Sequence, residues 1–134
     1  MKSSQTLYCL DSWAVLRYLE GDSAAARRVR QVLRRTRPVM SWINLGEVYY
    51  TLHRKFGSEE ADASLTQLRP LLTLDLASPD RVLAAARIKA VHPVAYGDAF
   101  AVATAAAHSA VLLTGDPELT SRAMSCRVED LARS

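Results

Sequence analysis

Residues 92–117 read HPVAYGDAFAVATAAAHSAVLLTGDP, and this stretch decides the fold. Its first part is rich in alanine, the strongest helix former. Phe100, Val102, Ala103 and Ala106 fall where a packed helix needs apolar side chains. The run Ala110-Val111-Leu112-Leu113-Thr114 is apolar and short, and Gly115-Asp116-Pro117 stops it. That combination predicts a fully buried strand ending in a turn. Asp98 lies near the start of the helix, and Asp116 at the carboxyl end of the strand. In open α/β sheets, ligands bind beyond the carboxyl ends of the strands. Two acids, one opening a helix and one closing a strand, can therefore face one crevice.

The same alternation runs through the chain. Thr6-Leu7-Tyr8-Cys9-Leu10 predicts a first strand ended by Asp11. A short helix from Trp13 to Leu19 follows, closed by Gly21. Ser23 is a good N-cap for a helix from Ala24 to Arg35, with Val29, Val32 and Leu33 inward. Pro38-Val39-Met40-Ser41 predicts a second strand, and a helix from about Ile43 to Phe56 ends at Gly57. Ser58-Glu59-Glu60 opens another helix, running to about Leu68. Leu72, Leu74 and Leu76 alternate with polar residues, a third strand. Ser78-Pro79 pairs an N-cap with a proline at the first helical position, opening a helix to about Val91. Pro117 begins a last short helix, and Cys126-Arg127-Val128 suggests an edge strand. Strands alternating with helices predict an α/β fold: a mostly parallel sheet of four to five strands, covered by helices on both faces.

With 134 residues the chain can bury its own core and is expected to form a single domain, residues 1–134. No apolar run approaches the roughly 20 residues needed to cross a bilayer. The start, MKSSQTLYCL, lacks the apolar region of a signal peptide, so a cytoplasmic location is expected. Two cysteines, Cys9 and Cys126, are too few for a disulfide scaffold and read as buried free thiols. Gly97 and Gly115 are isolated, so there is no glycine-rich phosphate loop. No Cys/His spacing suits zinc, and His53, His92 and His108 read as structural or exposed. The net charge of +3 is small, but Arg27, Arg28, Arg30, Arg34, Arg35 and Arg37 crowd one segment. Such a cluster can meet phosphates; it can equally be a solvated helix face or meet an acidic protein.

Asp11 follows strand one, Glu47 lies in the first turns of the helix after strand two, Asp98 opens its helix, and Asp116 follows strand four. In a parallel sheet these positions share one rim. Like charges so close raise each other's pKa unless a cation sits between them. Oxygen ligands without histidine or thiolate suit Mg²⁺ or Mn²⁺. Such a metal activates water and clamps a phosphate during in-line displacement. Each acid also has a plainer role. Asp11 can cap the helix at Trp13. Asn44-Leu45-Gly46-Glu47 has the spacing of a capping box, with Glu47 reaching back to the Asn44 amide. Asp98 suits a helix N-terminus through the macrodipole, and Gly115-Asp116-Pro117 can be only a capped turn. Four acids on one rim favour the metal.

These segments resemble the PIN-domain family, and within it the VapC-type toxins of bacterial VapBC (type II) toxin–antitoxin modules. The segments that carry the resemblance are Leu10-Asp11-Ser12, the run from Ser41 through Asn44 and Glu47 to Tyr50, Ala95-Tyr96-Gly97-Asp98-Ala99-Phe100, and Leu113-Thr114-Gly115-Asp116-Pro117. Their order and spacing match along nearly the whole chain. The resemblance implies a three-layer α/β/α sandwich and a Mg²⁺- or Mn²⁺-dependent endoribonuclease. Asp11, Glu47, Asp98 and Asp116 match the family's acidic quartet and would hold the metal. Thr114 matches a polar position beside the last acid that orients ligand or water, and Ser12 follows the first acid. A homodimer and a VapB-type antitoxin, its C-terminal segment over the acidic groove, are implied as partners besides RNA. Gly97 departs from the pattern, since many relatives carry alanine there. This would loosen the helix start by a fraction of a kcal/mol.

Two other functions fit the residues alone. The same acids would serve a metal-dependent phosphatase or DNA nuclease. A partner-binding α/β module would use them merely as helix caps. Trp42, Tyr49 and Tyr50 suit a dimer interface or the monomer core equally.

Overall fold

The structure, a computed structural model, describes residues 5–133. Residues 1–4, the start of the segment on which the expected location rests, lie outside it, as does residue 134. In chain order the elements are β1 (Tyr8–Leu10), α1 (Ser12–Glu20), α2 (Ala24–Arg35), β2 (Val39–Ser41), α3 (Trp42–Phe56), α4 (Ser58–Leu68), a 3-10 turn (Arg69–Leu71), β3 (Thr73–Asp75), α5 (Pro79–Val91), α6 (Tyr96–Ala107), β4 (Val111–Thr114), α7 (Pro117–Thr120) and β5 (Val128–Asp130). The five strands form one sheet in the order β3-β2-β1-β4-β5. Every pair is parallel, so the sheet is wholly rather than mostly parallel. The chain starts in the middle, steps outward through β2 to β3, then crosses back to lay β4 on the other side of β1. Connections leave β1 and β4 in opposite directions, which opens a crevice at their carboxyl ends.

Alternation along the strands splits the core in two. Leu10, Met40 and Leu113 face one side, with Val15, Val29, Leu45 and Val48 from the helices there. Cys9, Val39 and Leu112 face the other, against Ala85, Phe100 and Val102. Each fully buried leucine contributes roughly 1.5–3 kcal/mol relative to an exposed one. Helix α6 differs from the expected single stripe. Every residue from Ala99 to Ala105 is buried, while Ala106 is exposed. A helix apolar all round is a buried helix, and its alanines let it lie close on β1, β2 and β4.

Serine side chains start three helices. Ser23 accepts from the Ala26 amide at 3.1 Å, Ser41 from Ile43 at 3.1 Å and Ser78 from Arg81 at 3.2 Å. Gly57 ends α3 at a φ of 94°, a conformation costly for other residues. The edge strands differ from expectation. β3 stops at Asp75 and leaves Leu76 72% exposed, so the leucine alternation does not continue to Leu76. β5 is Val128–Asp130 rather than Cys126–Val128. Cys9 is buried as expected, but Cys126 is only partly so. Among the described residues, no helix is long and apolar enough to cross a membrane.

Candidate metal centre

The register places Leu10 beside Leu113, so the chain leaves β1 at Asp11 next to where it leaves β4 at Thr114. Asp11 is 2% exposed, and its Oδ1 accepts the Ala14 amide at 2.8 Å, capping α1. Burial pushes its carboxyl up to about 7, against the pull of hydrogen bonds from Thr114 and the Ala14 amide. The charges of Asp116 and Glu47 raise it further. Thr114 is fully buried, and its hydroxyl oxygen also accepts the Asp116 amide at 3.0 Å. One hydroxyl thus ties the two strand ends together. Ser12, the first residue of α1, is partly exposed beside Asp11.

Asp116 caps α7, its Oδ1 accepting the Glu118 amide at 2.9 Å. Asp98 sits in the first turn of α6. Burial again leads in raising its carboxyl to about 7, followed by the charge of Asp116, a hydrogen bond shared with it, and the charges of Asp11 and Glu47. The charges of Asp116 and Glu47 thus act on both Asp11 and Asp98 at the β1–β4 crevice. Carboxylate oxygens of Asp98, Asp116 and Glu118 come within 4.8 Å of one another. Two unit charges at that separation repel by about 3–4 kcal/mol at a surface-like dielectric.

Glu118 was not singled out from the sequence. The signal was there: an acid two residues after Asp116 in a helix opened by proline lies in the first turn, on the same rim. The capping box that was the plainer role open to Glu47 does not form. Ser41 is the N-cap of α3, and Asn44 lies inside the helix, buried. Its side-chain nitrogen donates to Glu47 Oε1 at 2.8 Å and to the Gly97 carbonyl at 2.9 Å. Asn44 thus clamps Glu47 to the start of α6, and its Oδ1 is buried without a protein partner. Gly97 makes room for this clamp. A Cβ there would lie 2.6 Å from Glu47 Cδ and 2.8 Å from Oε1. The missing methyl matters as space more than as helix propensity.

Gly115 has a comparable part, since a Cβ would stand 2.6 Å from Trp13 Cζ3. The indole lies against the turn that carries Asp116. His108 and His53 stay apart from these acids: His108 Nε2 meets Asp75 at 2.8 Å, whose carboxylate forms an ion pair with Arg81, and His53 is exposed. The donor set at the crevice is thus oxygen alone. Its two raised carboxyls owe their shift first to burial and then to the neighbouring acids, and among the described residues no cation pairs with them. Both facts fit a hard divalent cation of the Mg²⁺ or Mn²⁺ type and argue against zinc.

A family model described as PIN domain matches residues 8–123. Among curated proteins, no sequence matches the chain. The fold is similar to that of VapBC2 from Rickettsia felis, solved bound to a DNA fragment from its promoter. There the TM-score is 0.75 at 15% identity, covering 93% of this chain and 98% of that one. It is also similar to FitAcB from Neisseria gonorrhoeae, with a TM-score of 0.74 at 16% identity over 96% and 100% of the two chains. A third is Mycobacterium tuberculosis VapC20, described as a sarcin–ricin loop cleaving toxin, with a TM-score of 0.69 at 18% identity over 87% and 95%.

Proposed function

Because this chain belongs to the PIN-domain family, we propose that its acidic crevice is a divalent-metal endoribonuclease site and that the protein is the toxin of a toxin–antitoxin pair. The observation that carries the chemistry is the convergence of Asp98, Asp116 and Glu118 oxygens within 4.8 Å, above a buried Asp11 whose carboxyl is raised to about 7. The toxin role is supported by the likeness in fold to VapBC and FitAcB. An RNA substrate is supported by the likeness to VapC20.

Asp98 and Asp116 would hold the cation, with Asp11 beneath and Glu118 at the solvent side. When bound, Mg²⁺ or Mn²⁺ would supply Lewis-acid charge to the scissile phosphate and the attacking water. Thr114 keeps Asp11 and Asp116 in register. Glu47 gives one oxygen to Asn44 and rests its carboxylate against Gly97, from where it would orient the attacking water. The water oxygen bonds to phosphorus, and one ester oxygen leaves with a proton. A cognate VapB-type antitoxin is the proposed partner. A homodimer would cover exposed apolar side chains, among them Tyr50 and Phe56 on α3 and Leu83 and Val91 on α5.

The test is cleavage of a structured RNA pool by the purified chain, with Mg²⁺ or Mn²⁺ and with EDTA, beside the Asp98→Asn variant. DNA oligonucleotides at matched salt form the comparison. Metal-dependent cleavage of RNA that needs Asp98 is expected. Equal cutting by Asp98→Asn, or cutting of DNA in preference to RNA, would overturn the assignment.

A further inference from the structure

The arginine-rich segment lies away from the acids. Arg34 and Arg35 close α2. Beside them an open cleft of about 220 Å³ is lined by Gln5, Thr6, Arg28, Gln31, Arg35 and Thr36, around Tyr8 and Val32. Gln5 and Thr6 precede β1, and Thr36 precedes β2, so this cleft lies at the amino edge of the sheet. The acids lie at the carboxyl edge. A second open cleft, of about 600 Å³, runs along α2 and is lined only by arginines 27, 28, 30, 34 and 35 with Gln31.

Two of these arginines are engaged. Arg28 binds Glu129 through Nε at 2.7 Å and Nη2 at 3.0 Å, and it lies over the Tyr8 ring. Arg27 donates to the Asp22 carbonyl at 2.7 Å. Among the described residues, Arg30, Arg34 and Arg35 have no carboxylate within 4.0 Å. Arg30 and Arg34 lie one turn apart on the exposed side of α2, about 6 Å of rise between them, and Arg35 is turned about 100° from Arg34 around that side. Uncompensated charge so close repels itself unless a polyanion covers it.

We propose that this face of α2 is a binding surface for the phosphate backbone of RNA, separate from the acidic crevice. Its composition favours a nucleic acid over an acidic protein. A protein interface needs a desolvated apolar or aromatic anchor at its centre; the exposed large hydrophobic residues lie off α2, with Leu71 bordering only its Arg30 flank, and Tyr8 lies under Arg28. Phosphate binding needs only cations and hydrogen-bond donors, which arginine supplies in a bidentate fork. The surface does not depend on the nuclease chemistry. Without metal the acids repel RNA, so binding in EDTA reports the arginines.

The test measures affinity for a labelled single-stranded RNA in EDTA, by fluorescence anisotropy from 50 to 200 mM salt, on the Asp98→Asn chain so that the RNA stays whole. The same chain carrying Arg30→Gln, Arg34→Gln and Arg35→Gln is compared. A control triple, Arg54→Gln, Lys55→Gln and Arg87→Gln, removes equal charge from other exposed positions. Loss of three phosphate contacts should lower the slope of log affinity against log salt by about 2. Over that salt range the parent then loses about twentyfold more affinity than the α2 triple. The control triple should keep the parent slope. Equal slopes for parent and α2 triple, equal losses in both triples, or equally tight binding of polyglutamate would each overturn the proposal. Absence of RNA cleavage with this binding intact would instead fault the nuclease assignment.

Discussion

Replacing Asp98 by Asn should stabilise the metal-free protein at alkaline pH. Asp98 titrates near 7 in the folded chain instead of at 3.8, first because burial disfavours its charge and then because Asp116 lies beside it. Between about pH 4 and 7 the unfolded chain has shed this proton while the folded site keeps it. The folded state binds more protons there, so stability falls as pH rises, and above about 7 the whole penalty stands. At 1.36 kcal/mol per pH unit the raw cost is about 4 kcal/mol. Asp98 is partly exposed, and water screens it, so roughly half of that, about 2 kcal/mol, is the working figure. Asparagine keeps the shape, carries no charge at any pH, and can still donate a hydrogen bond to Asp116. For a chain of this length the gain is a rise of about 6 °C in melting temperature. Thermal unfolding in EDTA at pH 8 should show this gain, and at pH 4 almost none. Adding Mn²⁺ at pH 8 should reverse the order, because only the parent then gains a bound ligand. A variant no more stable than the parent at pH 8 in EDTA, or equally shifted at both pH values, would refute the reasoning.

Other substitutions test the parts around the acids. Gly115→Ala sets a methyl against the rigid Trp13 ring and should cost about 1–3 kcal/mol in chemical denaturation; adding Trp13→Val should recover part of it, and strict additivity would show that the two do not touch. Gly97→Ala sets a methyl against the Glu47 carboxylate that Asn44 holds, so it should cost about 1–3 kcal/mol. The Asn44 side-chain amide resonances should shift as they do in Glu47→Gln, and an unmoved pair would show that the clamp is not formed. Thr114→Val removes the hydroxyl that accepts the Asp116 amide and supports the ionised Asp11. It should destabilise by about 1–3 kcal/mol and push the Asp11 titration, followed by carbon NMR, above 7; an unchanged midpoint would deny Thr114 that role.

Helices with strong local signals were legible from the sequence. The bounds of α2 and α5 match the expected ones because Ser23 and the Ser78-Pro79 pair mark their starts. The central strands were legible because β1 and β4 are buried on both faces, which leaves an apolar run at the surface of neither. The edge strands were not. Leu76 continues a leucine alternation, yet pairing with β2 ends at Asp75, and the side chain is exposed. Which strand lies beside which is a long-range matter: β4 settles next to β1 across a hundred residues, and no local pattern records that. At the site, the acids at strand ends and helix starts were readable from position alone. The spacing of Asn44 and Glu47 suits a capping box, the plainer role open to Glu47, but Ser41 caps the helix and the two side chains meet inside it. The space left by Gly97 and Gly115 depends on side chains from α3 and α1, which only the packed fold brings near.

The most direct test of the central claim is an anomalous difference map from crystals grown with Mn²⁺. The account predicts a peak in the β1–β4 crevice, bounded by Asp98 and Asp116 with Asp11 or Glu118 completing the carboxylate set, and no such peak in Asp98→Asn. A crevice without a peak at saturating Mn²⁺, or a peak that persists in the variant, would contradict it.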